Sequence, residues 1–351
     1  MTWGRVGGGD YSTALVGNPP TPTLPTIGRE VVGTFVLFSL TLASLIVLAI
    51  PLGSALAEEA REAFVTNQSG DSLTVVDLAA LEAVAEIKIG GKPAGVAMAP
   101  DGRFAYLTSP GSKELIVVDA AQREVVRRVP AGEGPLGIAV DPAGGRVYVA
   151  DWYQHKLLIV DPDTGEITAQ VETGRSPSGV AVTPDGALVL TADRDSNEVS
   201  VIDASANRRL AGIAVGARPF GITVDAMGRR AYTANVKSDD VSVIDLAARK
   251  LVATVAVGRR PYAVALAAGR AFVTDQYAAT VTVFDLETLD VLKAVPVGDY
   301  PEGIAADPSG RSVYVACWEA NTLERIDAAT LEVTARVPVG DGPRAFGAFL
   351  R

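Results

Sequence analysis

The chain has 351 residues, with 31 basic and 41 acidic side chains, a net charge of −10 and 48% hydrophobic residues. This apolar fraction excludes a largely disordered chain, and the acidic balance argues against nucleic acid as a partner, because phosphate binding needs a basic surface. A single cysteine, Cys317, and a single histidine, His155, exclude an intramolecular disulfide, a thiolate zinc site, a haem attachment motif and a multi-histidine metal centre.

The N-terminal part differs in composition from the rest of the chain. Residues 1–30 are rich in Gly, Pro and Thr and lack periodicity, so we expect a disordered tail. Residues 31–57 contain no charged side chain, and the apolar run at 31–50 is long enough to cross a membrane as a helix. The run is followed by Ala55-Leu56-Ala57, a small-x-small pattern that a signal peptidase reads.

Two interpretations of residues 31–57 stay open. A cleaved export signal would end at Ala57. An uncleaved anchor would hold the protein to a membrane through residues 31–50, and the length of this apolar run favours it. Both interpretations predict that residues 58–351 are exported to the periplasm or the cell surface, and membrane contact is expected only through the uncleaved anchor.

Residues 58–351 are predicted to be one domain built from a repeated unit. An aspartate ends a β-rich run in every copy, at successive spacings of 42, 42, 42, 42, 40 and 42 residues, and a Gly-x-x-Pro segment recurs in step. The aspartates are Asp77, Asp119, Asp161, Asp203, Asp245, Asp285 and Asp327. The prolines are Pro93, Pro135, Pro177, Pro219, Pro261, Pro301 and Pro343.

Each copy predicts four short strands. In the fourth copy they are the β-branched runs Pro219–Val224, Ala231–Asn235, Val241–Asp245 and Leu251–Val257, bounded by turn residues. Four strands in a repeat of about 42 residues are typical of a β-propeller blade.

The phase of the repeat predicts how the ring closes. The first strand of the domain, Ala63–Asn67, matches the second strand of a blade, and Pro343–Leu350 matches the first. We therefore expect an all-β, seven-bladed propeller whose last blade is completed by the C-terminal strand, leaving no open sheet edge between the termini. Small residues near the start of each innermost strand would let the strands converge: Gly95, Gly137, Gly179, Gly221, Ala263, Gly303 and Ala345.

Four second-strand segments resemble the motif of the YVTN β-propeller repeat family: Phe64–Asn67, Tyr148–Asp151, Phe272–Asp275 and Tyr314–Cys317. The resemblance covers residues 63–351. It implies a seven-bladed, usually exported propeller, similar in shape to surface-layer proteins, sugar lactonases and the propellers that accompany quinone-dependent dehydrogenases. The motif identifies blades and implies no reaction.

Candidates for binding are residues that differ between copies, because scaffold residues repeat. The Gly-x-x-Pro loops are predicted to share a face with the loops that follow position 67 and its equivalents. Arg175, Arg218 and Arg259 come from successive loops and predict a contiguous sector for a carboxylate or phosphate, with a solvated rim of charges as the alternative. The arginine candidates on this face are Arg175, Arg218, Arg259, Arg260 and Arg344.

Large aromatic residues lie on the same predicted face: Trp152, Tyr153, Tyr262, Tyr277, Tyr300 and Trp318. They would form either lids over the blade interiors or a recognition surface. His155 follows in the loop of Trp152, and we expect a surface or partner contact there. It is a poor candidate for a catalytic base.

Position 67 and its equivalents are predicted to be structural where a short polar side chain can cap a turn. Cys317 departs from this pattern, as either a small buried residue or a reactive thiol. The seven repeated aspartates are predicted to be turn caps. The polar residues at position 67 are Asn67, Ser109, Asp151, Asp193, Asn235 and Asp275.

The sequence favours an exported, non-enzymatic, monomeric binding or scaffold protein that presents its loop face to a protein or a small anionic ligand. We predict no catalytic residue, metal or cofactor. Two other functions stay open. The first is an enzyme-related role, as an accessory propeller of a periplasmic quinone-dependent dehydrogenase pathway or as a lactonase-like hydrolase, and the second is a cell-surface structural role.

Overall fold

The computed structural model describes residues 60–351, which form seven β-sheets. The predicted tail at 1–30, the signal or anchor at 31–57 and the cleavage position after Ala57 lie outside the described residues. No helix long and apolar enough to span a membrane occurs within residues 60–351.

The described chain contains 28 strands, most of them six or seven residues long. In chain order they are β1 (Glu62–Asn67), β2 (Ser72–Asp77), β3 (Glu82–Lys88), β4 (Gly95–Met98), β5 (Phe104–Ser109), β6 (Glu114–Asp119), β7 (Glu124–Pro130), β8 (Pro135–Val140), β9 (Val147–Asp151), β10 (Lys156–Val160), β11 (Ile167–Glu172), β12 (Pro177–Val182), β13 (Leu188–Asp193), β14 (Glu198–Asp203), β15 (Arg208–Ala214), β16 (Pro219–Val224), β17 (Arg230–Asn235), β18 (Asp240–Asp245), β19 (Lys250–Ala256), β20 (Pro261–Ala267), β21 (Arg270–Asp275), β22 (Thr280–Asp285), β23 (Val291–Pro296), β24 (Pro301–Ala306), β25 (Ser312–Cys317), β26 (Thr322–Asp327), β27 (Glu332–Pro338) and β28 (Phe346–Ala348).

Blades 1 to 6 are antiparallel meanders whose four strands follow chain order from the axis to the rim. Blades 1 to 6 begin at β4, β8, β12, β16, β20 and β24, and blade 7 contains β1, β2 and β3. The predicted strands of the fourth copy are confirmed to within one residue, as β16 to β19 of blade 4. Their alternating side chains pack between neighbouring blades, where the buried aliphatic and aromatic residues form the core.

The C-terminal segment closes the ring on blade 7, as predicted. Pro343 bridges Asn67 and Leu350 bridges Ala63, both in the antiparallel sense. Between these bridges the segment keeps backbone hydrogen bonds to β1, and β28 also pairs in parallel with β4 of blade 1. The last residues therefore bond to both blades at the junction.

Small residues at position 95 and its equivalents are required by the approach of neighbouring innermost strands. A Cβ on Gly137 would lie 1.8 Å from the carbonyl oxygen of Ser178, and one on Gly303 would lie 2.2 Å from that of Ala345. No side chain fits at such distances without moving the adjacent backbone. The sequence prediction about strand convergence is confirmed.

The repeated aspartates cap turns, as predicted. The Asp119 carboxylate accepts hydrogen bonds from the backbone N–H groups of Ala121 and Gln122, at 2.9 and 2.8 Å. Short polar side chains with this contact favour a tight turn between strands. The other six repeated aspartates also accept from backbone N–H groups of the following turn: Asp77, Asp161, Asp203, Asp245, Asp285 and Asp327.

Candidate functional site

The Gly-x-x-Pro loops and the loops after the second strands lie on one face, as predicted, and backbone hydrogen bonds join them. In blade 5 the N–H of Gln276 donates to the carbonyl of Arg260 at 3.1 Å, and in blade 6 the N–H of Trp318 donates to Tyr300 at 2.9 Å. Blade 1 has Pro110 at this position, which has no N–H, and it keeps only the second bond of the pair, from the N–H of Gly111 to the carbonyl of Gly91. We call this side of the propeller the loop face.

The residue after each Gly-x-x-Pro proline occupies the same backbone position in all seven blades, at the loop-face end of the innermost strand. These mouth residues are Ala94, Leu136, Ser178, Phe220, Tyr262, Glu302 and Arg344. The seven residue types are all different, although the backbone position is the same in every blade. Sequence analysis selected Tyr262 and Arg344 but missed the set. A comparison of the residue after each proline across the copies would have found it.

Aromatic rings pack together at this end of the axis. The ring centroids of Phe220 and Tyr262 are 4.3 Å apart, and Phe346 lies 5.1 Å from Phe220 and 5.6 Å from Tyr262. Trp152 adds a fourth ring, 6.3 Å from Phe220. A channel of about 520 Å³ with an aliphatic lining runs between the innermost strands, bordered by Phe346 and by the turn prolines of blades 1 and 2.

A buried ion pair lies beside these rings. Arg344 Nε is 3.3 Å from Glu302 Oε2, and the two side chains are only 16% and 8% exposed. Arg344 Nη1 donates to Gln68 Oε1 at 2.8 Å, Arg344 Nη2 donates to the Tyr262 hydroxyl, and Gln276 Nε2 donates to Glu302 Oε1 at 2.7 Å. The guanidinium and the carboxylate are thus held in fixed positions from several sides.

Burial dominates the electrostatics of this group. It raises the pKa of Glu302, which the positive charge of Arg344 opposes, and it also raises the pKa of the Tyr262 hydroxyl. Perturbed titratable groups in a cleft are typical of functional sites, although structural networks perturb pKa values too.

A second group of predicted residues is linked to this pair. Arg260 Nε donates to Gln276 Oε1 at 2.5 Å, and its Nη1 donates to the Tyr277 hydroxyl at 3.0 Å. The Arg260 guanidinium lies 4.8 Å from the Tyr277 ring centroid, and Tyr300 lies 5.5 Å from Tyr277. The structure therefore brings Arg260, Tyr277 and Tyr300 into one network with the mouth residues through Gln276.

A pocket of about 260 Å³ opens on the loop face between Arg344 and Trp152. We call it the mouth pocket. Trp152 is half-buried, and the guanidinium of Arg194 lies 5.4 Å from its ring. Trp318 also lies near Arg344, with 6.0 Å between the guanidinium and the ring centroid. The lining residues are Gln68, Pro110, Gly134, Leu136, Trp152, Tyr153, Phe220 and Arg344.

The three arginines from successive loops do not line the mouth pocket. Arg175 Nη2 donates to the carbonyl of Asp195 at 2.9 Å. Arg218 and Arg259 are exposed, and their guanidinium groups have no polar partner within residues 60–351. No contact joins the three side chains in this part of the chain, so the predicted contiguous sector is not formed by direct contacts.

His155 holds a loop in place. Its Nδ1 accepts a hydrogen bond from the backbone N–H of Ser176 at 3.0 Å, and its φ is 58°. Asn197 and Asp239 make the same contact in the next two blades, each with an oxygen 2.8 Å from the equivalent N–H. Sequence analysis did not predict this role. Within residues 60–351, no group of three or more His, Cys, Asp and Glu side chains is placed to hold a metal ion.

Cys317 is fully buried, and burial raises the pKa of its thiol. A thiol that stays protonated is a poor nucleophile and a poor metal ligand. Of the two sequence interpretations, the environment of Cys317 fits the small buried residue.

Known structures with a similar fold include a chain of Kuenenia stuttgartiensis hydrazine synthase, with a TM-score of 0.67, 20% identity, and coverage of 73% of this chain and 89% of that chain. A functionally unknown protein from Desulfotomaculum acetoxidans has a TM-score of 0.71 and 16% identity, covering 82% and 98%. Dihydro-heme d1 dehydrogenase NirN, in complex with DHE, has a TM-score of 0.62 and 18% identity, covering 82% and 75%. Similarity at these identities shows the fold alone.

No curated protein matches the chain significantly. Residues 53–144 match the YNCE-like β-propeller family, which is of the YVTN type. The resemblance to the YVTN repeat family predicted from the repeats is thereby confirmed, and the chain is a seven-bladed β-propeller similar to the YNCE-like family.

Proposed function

We propose that this chain is an exported binding protein that takes a small anionic ligand at the mouth pocket and catalyses no reaction. The observation that carries the proposal is the set of mouth residues. One backbone position repeats in all seven blades, yet it has a different side chain in each and borders a pocket lined by Arg344. Export rests on the composition of residues 31–57.

The energetics of the ion pair support a role beyond structure. Removing Arg344 and Glu302 from water is costly, and an apolar pair of similar volume often stabilises a fold as well or better. The five other mouth residues include Ala94, Leu136 and Phe220, so this position accepts apolar side chains. A fork-shaped guanidinium held beside a pocket suits the recognition of a carboxylate or phosphate.

A protein partner is the second candidate. Tyr153 and Tyr277 are 69% and 49% exposed on the loop face, and exposed tyrosines are frequent in protein interfaces. A role beside a redox enzyme, as suggested by the names of two similar structures, has support from the fold alone.

The proposal can be tested by thermal-shift screening of the purified full chain against small anions such as acetate, benzoate and phosphate. We expect at least one anion to raise the melting temperature, because it binds the folded state only. Arg344→Gln should abolish this shift. Arg175→Gln is the matched control, because Arg175 is exposed and lies outside the mouth pocket, and it should keep the shift.

Arg344→Lys extends the test if the glutamine variant folds poorly, since it keeps the buried positive charge and removes the fork. An unchanged shift in a folded Arg344 variant would contradict the proposal. A shift lost only on replacing Arg218 and Arg259 together would assign anion binding to those exposed arginines instead.

A further inference from the structure

The lining of the mouth pocket combines two kinds of chemistry. Trp152 and Phe220, whose rings are 6.3 Å apart, form with Leu136 an apolar part that we call the aromatic wall. Arg344 and Gln68, joined by a hydrogen bond, form a polar part. A ligand that fills this space therefore meets both apolar rings and a cation.

Arg344 has donors left for a ligand. A guanidinium has five N–H donors. Within residues 60–351, one donor of Nη1 is used by Gln68 and one of Nη2 by Tyr262, and the Nε–H lies within ion-pair distance of Glu302 without a hydrogen bond to it. One further N–H group on each terminal nitrogen of this largely buried side chain also has no hydrogen-bond partner among the described residues. Because the side chain is already held from three sides, little entropy is lost when an anion binds it.

The aromatic wall is also held in place. Trp152 packs against both the ring of Phe220 and the guanidinium of Arg194, at 6.3 and 5.4 Å. Glycine at position 134 lets the Tyr153 ring lie against the loop backbone, since a Cβ there would be 2.5 Å from Tyr153 Cδ2. These contacts keep two aromatic side chains at the pocket without a protein partner to order them.

We infer that the mouth pocket binds a small aromatic monocarboxylate, with its carboxylate on Arg344 and its ring against Trp152 and Phe220. This inference rests on the proposed function and names the ligand class of the same site. A single carboxylate is favoured because Glu302, 3.3 Å from Arg344 Nε, repels further negative charge. The volume of about 260 Å³ lies slightly below the usual range of ligand pockets and restricts the ligand to a compact one.

The test measures dissociation constants for the full chain by calorimetry with three probes: 2-naphthoate, its neutral amide 2-naphthamide, and cyclohexanecarboxylate. We expect 2-naphthoate to bind at least about tenfold more tightly than 2-naphthamide, which lacks the charge, and than cyclohexanecarboxylate, which lacks the ring. Arg344→Gln should remove the preference for the acid over the amide. Trp152→Leu should weaken both naphthyl probes about tenfold and keep the preference for the acid.

Phe104→Leu is the control for the aromatic wall, because Phe104 begins β5 at the end of the blade opposite the loop face and lies outside the mouth pocket, and it should leave all three constants unchanged. Equal binding of 2-naphthoate and 2-naphthamide would overturn the inference. Acetate or phosphate binding through Arg344 with no gain from an aromatic ring would also overturn it and would leave the proposed function standing. Absence of binding by any anion, aromatic or not, would refute both.

Discussion

The role of His155 becomes clear from the residues at the equivalent position of other blades. Five of these residues, His155 included, accept a hydrogen bond from a backbone N–H of the adjacent Gly-x-x-Pro loop, and each has a positive φ between 52° and 58°. Asn and Asp tolerate this conformation better than most residues. Because the residue types differ, no sequence pattern marks the position. The set is Asp71, His155, Asn197, Asp239 and Asn321.

Two buried carboxylates on the loop face have an unusual electrostatic environment. Burial raises the pKa of Asp193 and of Asp275 to about 6, although hydrogen bonds from Ser200 and Thr282 oppose the change. Asparagine at the equivalent position 235 is compatible with the same surroundings, where its Nδ2 donates to the hydroxyl of Ser242 at 2.9 Å. An amide can therefore replace these carboxylates without a change of shape.

We expect Asp193→Asn and Asp275→Asn to flatten the pH dependence of stability. Both groups have a pKa of about 6 in the folded state, above the value of about 3.9 for an unfolded chain, so the folded protein binds protons more readily. Their stabilising contribution is complete below about pH 4 and is lost as the pH rises through 6. At pH 7 each amide variant should be more stable by about 1 to 2 kcal/mol.

Urea unfolding of each variant at several values from pH 4 to pH 7 measures this effect. Asp161→Asn is the control. Backbone N–H groups, first that of Thr164, lower the pKa of Asp161, so its contribution is lost only in more acidic solution. An unchanged slope for Asp193→Asn and Asp275→Asn between pH 4 and pH 6 would show that their desolvation is compensated in the fold.

Adjacent strands of blade 6 explain why Cys317 replaces a polar residue. In blade 3, Asp193 at the end of β13 accepts a hydrogen bond from Ser200 in β14. In blade 6, Cys317 ends β25, and the equivalent of Ser200 in β26 is Glu324, which is 1% exposed and 2.9 Å from Arg336 Nε. Blade 6 therefore carries its buried carboxylate on the third strand, β26, whereas blade 3 carries it on the second strand, β13.

A double-mutant cycle on Cys317 and Glu324 tests whether the two positions exchange the carboxylate. Cys317→Asp alone should place a second buried carboxylate beside Glu324 and cost about 2 to 4 kcal/mol of unfolding free energy. Glu324→Thr alone leaves Arg336 without its partner and the site without an acceptor, at a cost of about 1 to 3 kcal/mol.

The double variant recreates the pair Asp275 and Thr282 of blade 5, whose hydroxyl and carboxylate are 2.6 Å apart. We expect it to be more stable than the sum of the single effects predicts, by about 1 to 3 kcal/mol, as chemical unfolding of all four proteins would show. Additive effects would mean that the two positions do not substitute for each other.

At the scale of the whole molecule, the sequence predicted the architecture better than the site. Repeats fixed the number of blades and the closing segment because each blade uses the same backbone positions. The hydrogen bond between Gln68 and Arg344 joins residues 276 positions apart, and the repeat pattern does not predict it. The mouth pocket forms only when the ring has closed. Sequence analysis could therefore select some of its residues individually but could not predict that they lie together.

Closure and the candidate site depend on the same C-terminal segment. The N–H of Arg344 donates to the carbonyl of Thr66 at 2.7 Å, so the bond that closes blade 7 also positions the guanidinium. Phe349 is fully buried in a core that includes Phe64 of β1. Ligand binding at the mouth pocket should therefore also stabilise the closed ring.

Removal of residues 343–351 tests this dependence. The truncated chain should melt at a lower temperature and self-associate, because β1 becomes an exposed edge with unpaired N–H and C=O groups and the cavity left by Phe349 opens. A synthetic peptide of residues 343–351 should restore the melting temperature and the elution volume of the full chain by pairing with that edge, whereas a scrambled peptide should not. If the truncated chain elutes and melts as the full chain does, the other interfaces between blades suffice to hold the ring, and the termini contribute only the position of Arg344.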